Sequence, residues 1–540
     1  MAGPDNAAVA DQLESLASLL DLSGASYYSV RAYRRAAELI RATPAPVADL
    51  VRTGRVRELR GIGPAIETRL RELVETGQIA ELAELESQVQ PELVGLGRLA
   101  GLAPTRMVEL GRALGVRSTA ELREAAEAGR LREAPGVGPS TEAKILAVLG
   151  RDRSAAPRGL ILNRARELAA GIAEAVGGIA AGDVRRERDL SQRFAVVRPD
   201  VEWRPALARF EHAPGVVSLL QTRDRWGLGV TVDGVPVELY VPHPDDAGTA
   251  LVEATGSDAF VASLGDLPRA PTEEAVFSAL ELPFVPPELR EAPWPGGEPP
   301  RLVELSDVRG DLHCHTTWSD GRAPVLELGR AARDKHGYDY VAICDHTVSV
   351  RVVPGLDADA VRRQGEEIAA ANETLAQFRI LRGIECDILA DGSLDLPDDV
   401  LGELDWVQAS VHAGQRQSRE QLTHRMTEAA RHPSVRCISH PQGRMLNHRP
   451  PNAVDLERLF EVCLETGTAV ETNGLPDRID LSAELVRDAI AAGVTVVCST
   501  DAHSIQGLAN MQNCIGTARR AGATAADVLN TRPLEDVLRS

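Results

Sequence analysis

The chain has 540 residues, 44% of them hydrophobic and 26% charged, and a formal charge of −20. That length supports several domains with separate cores, while the acidic balance excludes a generally basic, nucleic-acid-coating surface and leaves only local arginine clusters to touch phosphates. No run of about 18 apolar residues occurs, and MAGPDNAAVADQLE lacks the basic-then-apolar pattern of a secretion signal, so the expectation is a cytoplasmic protein with no membrane partner.

Residues 7–150 read as helices with short connections, because apolar residues recur at three and four in VADQLESLASLLDL and SYYSVRAYRRAAELIRA. Within them, LRGIGPAIETRLRELVETG (59–77) and REAPGVGPSTEAKILAVLG (132–150) repeat one plan of helix, Gly-x-Gly hairpin and helix. Such a hairpin leaves backbone N–H groups at a helix amino terminus, where they cradle a phosphate without reading bases. A tight helix–helix turn explains one such glycine pair equally well. Two copies favour the DNA-backbone reading and make Gly61, Gly63, Gly136 and Gly138 the candidate contacts. DNA, bound without sequence specificity, is the expected partner, and no protein partner is readable.

From about 157 to 265 the pattern turns to mixed helix and strand, with RFAVVRP, WGLGVTVDG and VPVELYVP as strands. A Pro-rich segment, LPFVPPELREAPWPGGEPP (282–300), then reads as an extended linker. Beyond it, VRGDLHCH, YDYVAICDH, FRILRGIECDI, DWVQASVH, VRCISH, GTAVETNG and GVTVVCSTDAH alternate with helical segments, the signature of a parallel βα barrel. All seven cysteines lie in this last region without a CxxC pair, mostly inside apolar runs, and read as reduced core residues.

Nine metal-ligand types stand in the same region: His313, His315, Asp320, His346, Glu385, His412, His440, Asp501 and His503. Six imidazoles and three carboxylates exceed what one tetrahedral ion uses, which implies a multinuclear centre. On a strand, His313 and His315 project from one face while Cys314 points to the other. The remaining seven stand at or just beyond the ends of apolar runs, which in a βα barrel is the carboxyl-terminal rim. A lone histidine at such a position is commonly a hydrogen-bonded structural residue. His212, His243, His336, His424, His432 and His448 are assigned to that class.

The motifs DLHCHTTWSDG, CDHT, GIECDI, SVHAG, SHPQGR and STDAH, across residues 306–505, resemble a PHP domain, the polymerase and histidinol phosphatase family. The resemblance implies a distorted (β/α)7 barrel in which the nine positions hold up to three ions of zinc or manganese. It gives His313, His315, Glu385 and Asp501 to one pair of neighbouring ions, the other five completing the cluster. Metals about 3.5–4 Å apart lower the pKa of a shared water, direct it at phosphorus and neutralise the departing alkoxide. Glu385 and Asp501 are thus expected at the reacting centre. Arg444, just after His440, is a candidate partner for a non-bridging phosphate oxygen, with an exposed surface arginine as the alternative. Asp311, Asp345 and Asp387 flank ligands and are candidates for orienting imidazoles, or for capping and solvation.

The whole order of modules resembles the bacterial family X DNA polymerases, relatives of DNA polymerase β with a trailing PHP domain. That implies a multidomain α and α/β chain: a helical domain with a helix-hairpin-helix at 1–82, a second at 83–155, an α+β nucleotidyltransferase palm at 156–281, the linker at 282–305 and the PHP domain at 306–540. In GDVRRERDLSQRFAVVRP (182–199) the family's nucleotidyltransferase motif is degenerate. Gly182, Arg185 and Arg186 remain, but Asp183 replaces a serine, and Arg193 and Ala195 stand where two metal-binding aspartates belong. Glu238 is the carboxylate left, and one carboxylate does not hold two magnesium ions, so polymerase activity is expected to be lost. Ala65 and Arg69 occupy positions of family lysines, one of which forms a Schiff base; arginine stays protonated, so lyase activity is expected to be absent.

The function implied is a DNA-binding phosphodiesterase acting in repair, as a 3′–5′ exonuclease or at abasic sites and 3′ ends. A small-molecule phosphatase of the histidinol phosphatase type leaves the hairpins unexplained. A non-catalytic DNA-bound scaffold leaves a three-ion centre unexplained.

Overall fold

The chain forms two compact units, Met1–Ala156 and Pro157–Ser540. The structure, a computed structural model, describes residues 6, 9–10, 12–13, 16–17, 20, 27–42, 47–59, 61–82, 110–111, 113–116, 119–134, 137–139, 141–142, 145–146, 159–231, 233, 235–350 and 353–539.

The first unit is helical around a core that includes Val30, Tyr33, Val51, Val56, Ile66 and Leu70. Its two hairpins are built alike. A short 3-10 turn, Val56–Glu58 or Arg130–Glu133, leads to a carbonyl, Leu59 or Ala134, that accepts the N–H of Ile62 or Val137. Both of those apolar residues are buried. The next helical turn then starts with Gly63 or Gly138 accepting from Glu67 or Glu142. In the first hairpin Gly61 has φ +121, a conformation that strains any side-chain-bearing residue. Pro64, which has no N–H to leave unpaired, opens the helix Pro64–Thr76. Gly136 lies outside the described residues. Arg69 is paired with Glu81 at 2.6 Å and Glu72 at 3.4 Å.

The second unit opens with β1 (Leu160–Ile161) and the helix Leu162–Val176, followed by β2 (Ile179–Gly182), β3 (Leu190–Ser191) and β4 (Phe194–Val197). The helix Trp203–Glu211 precedes β5 (Val216–Arg223), β6 (Trp226–Thr231) and β7 (Pro236–Tyr240). Five of these strands form a sheet in the order β2-β4-β7-β6-β5, with β4 and β7 parallel and the other pairs antiparallel. The two helices cover it through Ala165, Ile172, Ala206 and Phe210, and the sheet contributes Phe194, Val196, Val237 and Leu239.

The Pro-rich segment was expected to be an extended spacer. It is instead packed, with Val285 and the side chain of Arg290 fully buried. Arg290 Nη1 reaches Glu273 Oε1 at 2.5 Å and its Nε donates to the Val285 carbonyl at 2.9 Å. Burial lowers the pKa of Arg290, and Glu273 offsets this only in part, because Glu273 also holds Arg185 at 2.6 Å. Removing one partner of a buried ion pair strands the other charge. Glu273→Ala is therefore expected to destabilise this unit by about 3–5 kcal/mol, read as a lower urea midpoint; an unchanged midpoint would make the segment a passive tether.

The barrel strands are β8 (Gly310–Cys314), β9 (Tyr340–Ile343), β10 (Arg379–Asp387), β11 (Trp406–Ser410), β12 (Cys437–Ile438), β13 (Ala469–Asn473) and β14 (Val496–Ser499). They coincide with the seven apolar runs and lie in sequential order, each parallel to its neighbours. A parallel bridge between Cys314 and Ala502 joins the two ends of the sheet, with His315 N–H donating to the Ala502 carbonyl at 2.9 Å. Leu312, Tyr340, Ala342, Leu381, Trp406, Cys437, Ala469 and Val497 share one apolar cluster, the floor of the barrel. Residues two or four further on, such as Glu385, Gln408 and Glu471, form a polar layer above it, as the two-residue period of a strand requires. All seven cysteines are buried and free. No described helix is long and apolar enough to cross a membrane.

Sheet and barrel meet within this unit. Leu162 packs with Leu446 and Ile479, Asn447 exchanges two hydrogen bonds with the backbone of Gly159, and Arg166 donates to Asn513 at 2.7 Å. Asp189 pairs with Arg444 at 2.9 Å.

Candidate metal centre

All nine candidate ligands converge on the carboxyl-terminal ends of the barrel strands. Three overlapping groups have ligand atoms within 4.8 Å of one another: His315, Asp320, His346 and His503; His313, His315 and Asp501; and His346, Glu385 and His412. Glu385, at the far end of β10, is the hub. Its Oε1 lies 2.8 Å from His440 Nε2 and 3.4 Å from His412 Nε2, while its Oε2 lies 2.8 Å from His346 Nδ1 and 3.5 Å from His313 Nε2. Asp501 Oδ1 is 3.0 Å from His315 Nε2 and 3.5 Å from His503 Nδ1, and His503 Nε2 is 3.2 Å from Asp320.

Several of these contacts make poor hydrogen bonds and good ligand geometry. The Nδ1 atoms of His315 and His346 are buried and make no hydrogen bond, although Glu385 is within 2.8 Å of the latter. His313 Nε2 and His315 Nε2 face each other at 3.1 Å. Nitrogens aimed at a common point with no proton partner fit shared cations. The residues therefore suit a group of borderline divalent ions.

The local field agrees. Burial raises the pKa of Glu385, but His412, His346 and His313 outweigh it and hold the carboxyl well below its usual range. Asp501 is likewise held low against burial by His313 and His315. Asp320 falls to about 2, chiefly through its bond to His503 once burial is outweighed. His315 also falls, to about 4, because burial and His346 both oppose its charge. The carboxylates are thus ionised and the fully buried His315 is neutral, whereas against burial the carboxylates hold His313 well above its usual range and raise His412 and His503 to about 9, so that cations binding there would displace protons from these imidazoles.

Strain marks two of the ligands. His440 has φ +29 and Asp501 has φ +51, left-handed conformations that cost roughly 1–3 kcal/mol each at a residue with a side chain. Glu471 holds the first by accepting the His440 N–H at 2.8 Å, and Asn473 holds the second by donating to Asp501 at 2.9 Å.

Glu471 was not anticipated. Fully buried on β13, it accepts from His313 Nδ1 at 2.7 Å, from Gln408 at 3.1 Å and from Ser439 at 2.7 Å. Burial raises its pKa, yet His313 draws it down to about 2. A carboxylate behind an imidazole fixes which nitrogen is free for a cation. The visible signal was an acid two residues from Ala469 and Asn473, on the inward face of a strand that opens with apolar residues. Glu471→Gln is expected to weaken metal affinity by roughly 10–100-fold. Competition with a fluorescent chelator measures it, and an unchanged affinity would reduce Glu471 to a packing residue.

The flanking aspartates divide between roles. Asp387 accepts the His412 N–H at 3.0 Å, and Asp311 ties His313 N–H to Thr500. Asp345 accepts from Thr316, Ser319 and Gln364, away from imidazoles. Arg444 requires correction as a phosphate partner. Its guanidinium is 2.9 Å from Asp189 and donates through Nε to the Ile479 carbonyl at 3.0 Å. It is neither free nor an exposed surface arginine, because Asp189, in the turn before β3, supplies its counter-charge.

On the five-stranded sheet, register places Ala195 directly opposite Glu238. Glu238 accepts from Trp226 Nε1 at 3.2 Å and from the Tyr240 hydroxyl, and Arg193 approaches it at 3.9 Å. Gly182 has φ +78, and a Cβ there would meet Phe194 Cα at 3.0 Å. The Asp183 carboxylate sits in the turn that follows, accepting the N–H groups of Gln192 and Arg193 and pairing with Arg186 at 2.5 Å. Arg185 and Arg188 are held by Glu273 and Glu291.

A parallel seven-stranded barrel crowned by nine converging imidazoles and carboxylates defines a metal-dependent phosphoesterase of the PHP type. Residues 4–79 match the helix-hairpin-helix domain family and residues 95–151 the SAM-like helix-hairpin-helix tandem. The chain is 32% identical over 562 residues to the DNA polymerase/3′-5′ exonuclease PolX of Bacillus subtilis (strain 168), covering 97% of each chain. A probable phosphatase of Acetivibrio thermocellus is 28% identical over 202 residues, 36% of this chain and 78% of its own length. One from Thermoanaerobacter sp. (strain X514) is 27% identical over 236 residues, 41% of this chain and 89% of its own. This chain belongs to the bacterial PolX family, the family X DNA polymerases that carry a PHP domain, and its nucleotidyltransferase motif is degenerate.

Proposed function

We propose that the protein hydrolyses phosphodiester bonds of DNA at the rim of its barrel, removing nucleotides from 3′ ends or trimming damaged ends, while its hairpins hold the backbone. The observation that carries this reading is the cluster centred on Glu385, eight residues in three overlapping groups with His440 2.8 Å from Glu385, in a chain that also keeps two helix-hairpin-helix modules. Up to three ions of zinc or manganese fit the donor set, with His313, His315, Glu385 and Asp501 around one pair. Divalent ions held there supply a water of lowered pKa and charge for the leaving oxygen.

The chain's own side chains do the rest. Glu385 reaches five imidazoles and spans the cluster, Glu471 sets the ring of His313, and Asn473 fixes Asp501. Each hairpin offers backbone N–H groups to a phosphate, so DNA affinity is independent of sequence and falls steeply with salt. The probable phosphatases align with about two fifths of this chain, which suits a small-ester reaction only if the hairpins are idle.

The test is a manganese- or zinc-loaded preparation given 3′-labelled single-stranded and gapped DNA, and separately histidinol phosphate. Loss of label from 3′ ends that vanishes in His313→Ala supports the proposal. Phosphate released from the small ester with intact DNA would overturn it in favour of the phosphatase.

A further inference from the structure

Arg425, on the helix Arg419–Ala430, is an arginine that the proposed function leaves unused. Leu422, Met426 and Ala429 of that helix enter the same apolar core as Ile388 and Val411. Arg425 follows them inward and is only 2% exposed. Other buried guanidinium groups of the protein face a carboxylate, as Arg290 faces Glu273 and Arg186 faces Asp183. Arg425 has no ion pair among the described residues and donates instead to four neutral oxygens. Burial lowers its pKa, which the more distant charges of Asp387 and Asp391 offset only in part. An apolar side chain would fill the same space without that cost.

The four oxygens belong to two loops at the rim of the barrel. After β10, the Leu389 carbonyl accepts from Nε at 2.8 Å and the Ile388 carbonyl accepts from Nη2. After β11, the Ala413 carbonyl and Gln417 Oε1 accept from Nη1 at 2.9 and 2.7 Å. Gly414, with φ +74, leaves room for the guanidinium, since a Cβ there would meet Nη1 at 3.0 Å. Ile388 and Ala413 directly follow Asp387 and His412 in the chain. Those two are themselves joined: the His412 N–H donates to Asp387 Oδ1 at 3.0 Å, and the ring Nδ1 lies 3.4 Å from the same oxygen. His412 needs such support. It stands two residues beyond the end of β11, where its N–H has a side chain and not a neighbouring strand as partner. Its ring is also more open to solvent than those of His313, His315, His346 and His440, yet it meets Glu385 Oε1 at 3.4 Å.

We propose that Arg425 is a positioning residue of the metal centre, fastening the loops after β10 and β11 to one guanidinium so that His412 stays where it can share a cation with Glu385. A planar group with five donors in fixed directions suits this task, whereas a lysine offers a point charge on a flexible stem. Arg425 acts through His412, which separates it from a residue that only stabilises the fold. The proposal rests on reading the nine residues as a metal centre and is independent of which ester is cleaved.

Competition between the full-length protein and a fluorescent zinc chelator reads metal affinity with no DNA present. Arg425→Lys is expected to weaken the affinity about 10-fold, and His412→Ala roughly 10–100-fold. In the double variant the loss should equal that of His412→Ala alone to within about twofold, because nothing is left for Arg425 to position. Should Arg425→Lys not fold, Gln417→Ala takes its place in the same cycle: it withdraws one acceptor, leaves the guanidinium buried, and is expected to cost about fivefold. Wild-type affinity in the single variant would overturn the proposal. So would losses that multiply in the double variant, which would make Arg425 a residue of the fold alone. A wild-type protein that takes up no zinc would overturn the centre and this proposal with it, whereas a zinc-binding protein that leaves every DNA intact would sink only the nuclease reading.

Discussion

Glu385→Gln is expected to lower DNA hydrolysis by roughly three orders of magnitude or more, about 4 kcal/mol at 1.36 kcal/mol per tenfold. The substitution keeps the side chain's size and removes its charge. Among the described residues, Glu385 is the one carboxylate within 3.7 Å of five imidazoles, His313, His315, His346, His412 and His440. Those imidazoles hold it ionised far below neutral pH, so the neutral amide changes the charge state at every working pH. With the hub neutral, cations there would have only Asp501 and Asp320 left to offset their mutual repulsion. Elemental analysis should show fewer ions per chain, and steady-state kinetics a fall in kcat. A variant with full metal content and rates within tenfold of wild type would displace Glu385 from the centre of the mechanism.

Primer extension is expected to be undetectable in the wild-type protein and to remain so in an Arg193→Asp/Ala195→Asp double variant. Two missing metal ligands, each worth roughly 10²–10³ in rate, account for the first result. The second follows from the surroundings. Restored aspartates would flank Glu238, since Ala195 lies across from it in register, but Glu238 is engaged by Trp226 and Tyr240. The carboxylate of Asp183 meanwhile occupies the turn after Gly182, where it takes two backbone N–H groups and Arg186. A nucleotide triphosphate would find those donors occupied by a built-in anion. Asp183→Ser must be added before magnesium-dependent nucleotide binding returns. Extension by the unmodified protein would refute the argument outright.

Much of the barrel was legible because buried parallel strands are short continuous apolar runs, and six of the seven, all but GTAVETNG, end at or near a ligand. Glu471 was harder. Its importance lies in His313, Gln408 and His440, which come from three other strands, and in the chain it is one acid among 79 acidic residues. Arg444 misled for the same reason: adjacency to His440 suggested the centre, while its partner Asp189 lies 255 positions earlier, in the turn before β3. The Pro-rich segment had the composition of a spacer, and only the pocket for Arg290 beside Glu273 shows why it packs.

Residue types and local spacing determined the donor set and the doubled hairpin, each carried by short motifs, and the resemblance to the family X polymerases brought out the missing aspartates. Barrel closure and the packing of the preceding elements against it decided that Arg444 pairs with Asp189, which acid orients His313, and what fills the turn after Gly182. These depend on contacts between distant segments, whose geometry is set by strand register and packing and leaves no mark in the sequence around any one of them.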